Sequence, residues 1–196
     1  MTNYVKRNVS QILLLVIFLT LSISTFAQQN DNGIARVQKN NGLFVFCDNE
    51  PIIEYDILER EKSNLSWTGQ YNEIRNKLIK KAVKDCPNAD GVVVTMAKGA
   101  TDKAIVIKFK DDQRKDDFAL ARVNKVLGLY VFTDCEPINE YEVLDRVKAT
   151  IGWSSQYQGV RDKLIKKAMK KYHNADGMIF MFSTGGTDRA AVIKFK

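Results

Sequence analysis

Ala35-Arg36-Val37 recurs as Ala121-Arg122-Val123, and the offset of 86 residues then holds without a gap to the end of the chain. Gly42 meets Gly128, Glu50-Pro51 meets Glu136-Pro137, Glu54-Tyr55 meets Glu140-Tyr141, and Trp67 meets Trp153. Leu78-Ile79-Lys80-Lys81-Ala82 meets Leu164-Ile165-Lys166-Lys167-Ala168, and Asn88-Ala89-Asp90-Gly91 meets Asn174-Ala175-Asp176-Gly177. Roughly half of the paired positions are identical, beyond what chance supplies. Two copies are too few for a solenoid, which needs at least about three units to bury a continuous core. The sequence therefore predicts two tandem domains, at 34–110 and 120–196, each inside the size range of small domains.

Between them, at 111–119, the stretch Asp111-Asp112-Gln113-Arg114-Lys115-Asp116-Asp117 carries no apolar residue and reads as a solvated linker. Ahead of the first copy, Lys6 and Arg7 precede an apolar run from Ile12 to Leu21, and small and polar residues lead to Thr25-Phe26-Ala27. That layout predicts a cleavable signal peptide at 1–27, followed by a polar leader at 28–33. The apolar run is too short and too diluted for a spanning helix, which needs about 20 predominantly apolar residues. A periplasmic or extracellular product without a transmembrane span is expected. Loss of Lys6 and Arg7 lowers the net charge from +7 to +5. So small an excess supports solubility and identifies no nucleic-acid partner.

Within each copy the order reads βββαββ. Short apolar strands at 34–38 and 43–47 flank a turn in which Gly42 supplies positive-φ freedom. A third strand alternates at Ile53, Tyr55 and Ile57. One helix follows, with Tyr71, Ile74, Leu78, Ala82 and Cys86 on its apolar stripe. Strands at 92–96 and 104–110 complete the unit. The fold class is thus α+β, two tandem copies of a two-layer domain with a mainly antiparallel sheet. Leu43-Phe44-Val45-Phe46, Val92-Val93-Val94 and Met178-Ile179-Phe180-Met181-Phe182 are apolar on both faces, which implies sheets covered on both sides. A single helix covers one side. The other is expected to be covered by packing the bare faces of the two copies on each other, or by homodimerisation.

The stretch Leu129-Tyr130-Val131-Phe132-Thr133-Asp134 with Pro137, then Tyr141-Glu142-Val143-Leu144-Asp145-Arg146-Val147, the helix with Leu164-Ile165-Lys166-Lys167-Ala168, and Ala175-Asp176-Gly177-Met178-Ile179 resembles small bacterial domains of the YbjQ-like and RcsF-like type. The latter are envelope stress sensors. The resemblance implies a compact α/β domain in an envelope setting. The sensor type is a lipoprotein with paired disulfides, and this chain has neither a lipidation cysteine nor a matching cysteine set. The YbjQ-like group is associated with heavy-metal binding, for which the sequence offers no ligand cluster.

An exported chain meets an oxidising compartment, and three cysteines cannot all pair internally. Cys86, on the apolar stripe, reads as a buried thiol. Cys47 and Cys135, at equivalent strand ends two positions apart in the repeat frame, would allow a bridge between copies if their Cα atoms came within about 7 Å. One histidine, His173, is too few for a zinc site and reads as an exposed loop residue. Asp48, Glu50, Glu54, Asp134, Glu136 and Glu140 could gather around a hard cation, although turn chemistry and a solvent-facing strand edge account for them. Gly99-Ala100-Thr101-Asp102 and Gly185-Gly186-Thr187-Asp188 pair a hydroxyl with a carboxylate in what reads as a hairpin turn. No catalytic residue, metal site or cofactor is therefore assigned.

The lysines are the remaining candidates. Lys77 with Lys81, Lys80 with Lys84, Lys163 with Lys167 and Lys166 with Lys170 place like charges four residues apart, at a cost to the helix of a few tenths of a kcal/mol per pair. A solvated face explains them, and so does an electrostatic binding face for anionic envelope polymers or lipid headgroups. The function expected is an exported, non-enzymatic envelope interaction or sensory module with an unidentified protein or anionic partner. The alternative is a ligand- or cation-binding periplasmic protein.

Overall fold

The computed structural model describes residues 31–63, 71–96, 102–110, 117–149, 156–183 and 187–196. The predicted signal peptide, the start of the leader, linker residues 111–116, both tryptophans and the glycines of both hairpin loops lie outside the described residues. Asn32–Lys196 form one compact unit. Its chain runs β1 (Ile34–Asn40), β2 (Leu43–Cys47), β3 (Asn49–Pro51), β4 (Tyr55–Ser63), α1 (Tyr71–Asp85), β5 (Gly91–Thr95) and β6 (Asp102–Phe109). It continues with β7 (Phe118–Val123), β8 (Lys125–Val126), β9 (Leu129–Thr133), β10 (Cys135–Pro137), β11 (Tyr141–Ala149), α2 (Tyr157–Met169), β12 (Gly177–Met181) and β13 (Asp188–Phe195). The class is α+β, with two helices among the described residues and strands paired mainly antiparallel.

Two half-sheets, β4-β6-β5-β2 and β9-β12-β13-β11, meet edge to edge where Cys47 pairs with Thr133. Cys47 and Thr133 are themselves 86 positions apart, so a pseudo-twofold axis passes between them. A smaller sheet, β10-β1-β7-β3, obeys the same axis, with Ala35 opposite Ala121 at its centre. Each of its strands pairs with a strand of the other half. The parallel pairs β2–β5 and β9–β12 lie inside the large sheet.

Side-chain alternation across the large sheet decides which layer each residue joins. Val45, Val92, Val94, Ala104 and Val106 pack against Ile74, Leu78, Ile79 and Ala82 of α1. Val131, Met178, Phe180, Ala190 and Val192 pack against Val160, Leu164, Ile165 and Ala168 of α2. The intervening residues Phe44, Phe46, Ile107, Phe109, Phe132 and Ile193 face the small sheet, which contributes Ala35, Val37, Ala119, Ala121, Val123 and Cys135. The result is three layers: helices, large sheet, small sheet. The second side of each half-sheet is covered as its composition requires, but by a sheet that both halves build and not by one bare face stacked on the other.

Turn chemistry follows the sequence in one half and departs from it in the other. Asn41 and Gly42 both have positive φ, 51° and 84°, the pairing a two-residue type I′ hairpin needs. The equivalent turn places Leu127 at φ 52° before Gly128 at 90°. The segment read as a plain turn after Cys47 instead holds Asp48 at φ 57° and then the short strand β3. Asp134 repeats this at φ 54° before β10. At these two aspartates the chain leaves the large sheet for the small one.

The Asp-Gly pair that follows each helix in both halves does more than end it. Asp90 donates its N–H to the Ile107 carbonyl at 2.9 Å, while its own carbonyl accepts from Phe44 N–H at 3.0 Å and its Oδ2 from Phe109 N–H at 2.8 Å. Asp176 repeats all three contacts with Ile193, Tyr130 and Phe195. A Cβ on Gly91 would lie 2.8 Å from the Phe44 carbonyl oxygen, and one on Gly177 3.0 Å from that of Tyr130. Glycine is the residue this close strand approach admits.

Candidate functional site

The two aspartates at the sheet crossings are each held by the helix of the other half. Asp134 accepts from the Tyr71 hydroxyl and, at 2.7 Å, from Arg75 Nη1, both on α1. Asp48 accepts from the Tyr157 hydroxyl and, at 3.0 Å, from Arg161 Nη1, both on α2. Tyr and Arg four residues apart project from one helix face, so each helix presents a phenol and a guanidinium as a pair. The arginine side chains are 15% and 11% exposed, which makes both clasps largely interior. Charge-assisted hydrogen bonds of this type are about twice as strong as neutral ones.

Around the clasps the halves keep exchanging groups. The Tyr71 and Tyr157 rings lie 5.0 Å apart, with Phe182 at 4.6 and 5.1 Å from them. Asn72 Nδ2 donates to the Phe182 carbonyl at 3.0 Å, and Gln158 Nε2 donates to the Met96 carbonyl at 2.6 Å. Thr133 and Tyr157 hydroxyls are 3.0 Å apart on the axis. Asn49 spans both halves by donating to the Cys47 and Thr133 carbonyls at 2.9 and 3.3 Å.

This centre suits cohesion between the halves. Burial pushes the Cys47 thiol and the Tyr71 and Tyr157 phenols well above their ordinary ranges, with Asp48 next in effect on Cys47. Burial likewise pushes Cys135 up to about 12. The folded chain thus holds these protons more tightly than the unfolded one, where a thiol ionises near about 8.5 and a phenol near about 10. The stability this contributes is complete below about pH 8.5 and is lost as pH rises toward the raised folded values. The urea midpoint is expected to be flat from about pH 6 to 8 and to fall from about pH 9 upward, with a shallower fall in Tyr71→Phe.

All three cysteines are free and buried. Cys47 lies in the core under α1 and Cys135 in the core between the two sheets, so the bridge that their sequence positions allow does not form. The six candidate carboxylates do not converge either. Asp48 and Asp134 are clasped, Glu54 and Glu140 pair with Lys110 and Lys196 at 3.0 and 3.2 Å, and Glu50 and Glu136 are exposed. Of the loop carboxylates, Asp102 and Asp188 are buried, and Asp188 accepts from Ser183 N–H at 2.8 Å. His173 is exposed in the turn after α2.

The eight lysines are all exposed. Because α1 and α2 cover the same face of the large sheet, their outer surfaces form one layer. Lys81 turns toward Glu61 and lies 3.3 Å from Asp85, and Lys167 donates to the Lys148 carbonyl at 2.9 Å. Among the described residues no helix is long and apolar enough to cross a membrane.

The clasp is absent from the sequence reading, in which Tyr71 counts as part of an apolar stripe and Asp48 as a turn residue. The signal for it is the identity of Asp, Tyr and Arg at all three paired positions. No family model, no curated protein and no solved structure matches this chain.

Proposed function

We propose that the protein is an exported, non-enzymatic interaction module of the bacterial envelope, built from a duplicated unit in which β3 and β10 add a strand to the βββαββ order expected from sequence, and that its helix layer binds an anionic envelope component. The observation that carries this reading is the common exposure of eight lysines on two helices that cover one side of one sheet. Each like-charged pair costs a little helix stability, and a polyanion offsets that cost. The tyrosines and two of the thiols, by contrast, face inward, where they hold the halves together. The signal-peptide layout of the first 27 residues and the resemblance of each half to YbjQ-like and RcsF-like domains support the envelope setting.

Flotation with vesicles containing anionic lipid, and retention on an acidic glycan column, test the reading and separate the two sources of negative charge. Binding to one of them is expected, weakening as salt shortens the Debye length from about 10 Å at 0.1 M. Lys80→Glu, Lys84→Glu, Lys166→Glu and Lys170→Glu combined are expected to reduce affinity by more than about tenfold, since each lysine near an anionic surface contributes about 1 kcal/mol. Binding that ignores both salt and these substitutions, or no binding to either surface, would overturn the proposal.

A further inference from the structure

The halves diverge most tellingly at one place beneath the end of α1. Glu59 and Glu61, two apart on β4, point to the same side of the strand, and Asp85 at the end of α1 meets them there. One oxygen from each of the three carboxylates lies within 4.8 Å of the others. The register irregularity between Ile57 and Glu59 sets their direction. Glu61 is 2% exposed, and among the described residues its buried Oε1 has no hydrogen-bond partner, while Oε2 pairs with Lys81. A buried carboxylate oxygen left unsatisfied is costly and calls for a ligand.

The other half shows that the fold does not require this arrangement. At the position equivalent to Glu61 it has Val147, buried at 6% exposure. In place of Asp85 it has Lys171, whose ammonium lies 3.1 Å from Asp145, the equivalent of Glu59. There the chain supplies its own cation. In the first half the same place holds a third carboxylate, and three carboxylates against the one ammonium of Lys81 leave two negative charges.

We propose that Glu59, Glu61 and Asp85 bind one divalent cation of the calcium class through carboxylate oxygens. Calcium takes oxygen ligands at about 2.3–2.6 Å, so ligands on opposite sides of one ion are up to about 4.6–5.2 Å apart, which accommodates the observed spacing. The Lys81 side chain is 47% exposed and can turn to solvent as the ion takes its place on Glu61. The remaining coordination positions are left to water. This site shares Lys81 alone with the lysine face above.

Isothermal titration of the full chain with calcium chloride tests it. One ion per chain is expected, with a dissociation constant in the range of extracellular modules, about 10⁻⁴–10⁻³ M. Glu61→Val and Asp85→Lys, each installing the residue of the other half, are expected to weaken binding by about tenfold or more, with circular dichroism unchanged. Asp85→Lys, at the surface end of the helix, keeps the test valid if Glu61→Val alters the core. No binding in that range, affinity unchanged in Asp85→Lys, or zinc binding lost in Cys86→Ser without calcium binding would each overturn the proposal.

Discussion

Asp134→Ala is expected to lower the free energy of unfolding by about 3 kcal/mol, and Asp48→Ala by less. The first change leaves the Arg75 guanidinium in the interior without its counter-charge and the Tyr71 phenol without its acceptor, whereas after the second Arg161 keeps Asp162 at 2.9 Å and Tyr157 keeps the Thr133 hydroxyl at 3.0 Å. Removing one partner of a buried ion pair costs about 3–5 kcal/mol, and the aspartate side chains, at 24% and 23% exposure, place these clasps at the lower end. Part of the loss comes from the backbone, because alanine tolerates the positive φ at these positions less well than aspartate does. Asp134→Asn separates the two contributions: asparagine keeps the backbone preference and an acceptor oxygen but removes the charge, so it should recover about 1 kcal/mol relative to alanine. Urea unfolding followed by circular dichroism measures all three. A loss below about 1 kcal/mol in Asp134→Ala would mean that the clasp is a surface-type pair of little consequence.

Phe132→Ala is expected to cost about 3–5 kcal/mol, the range for truncating a fully buried phenylalanine. Its ring is wholly buried between the large and small sheets, 6.3 Å from the Phe195 ring, in the same cluster as Phe44, Phe46 and Phe109 of the first half. Phe46→Ala, at the equivalent position, should cost about the same. Since the core between the two sheets serves both halves, thermal unfolding of either variant should remain a single transition at a lower temperature. Two separated transitions would show that the core beneath each helix holds its half without the shared one.

How much of this was legible in the sequence depends on whether the deciding contact is local. The helices were, because Tyr71, Ile74, Leu78 and Ala82 recur at helical spacing and all are buried. The demand for a second covering layer was too, from strands such as Leu43-Phe44-Val45-Phe46. What fills that layer was not. Ala35 and Val37 face inward and Arg36 and Gln38 outward, an alternation that marks a half-buried strand but not its partners. Those partners, β7 and β10, lie in the other copy. Strand β3 was hidden for the same reason, since three residues ending in Pro51 read as a turn until β7 pairs with them. At the clasp, a tyrosine on an apolar stripe shows where its ring goes and not what its hydroxyl meets. The carboxylate cluster lies where the copies differ, so a search for matched positions passes over it. Glu61 against Val147 and Asp85 against Lys171 were the available signs.

The two halves of 32–196, joined through both sheets and the reciprocal clasps, are expected to unfold as one cooperative unit. The decisive measurement is native-state hydrogen exchange on the wild-type chain and on Asp134→Ala. In the variant the amides of β5 and β6 in the first half and of β12 and β13 in the second should lose protection together and by the same free energy. Loss confined to one half, with the other exchanging as in the wild type, would contradict it.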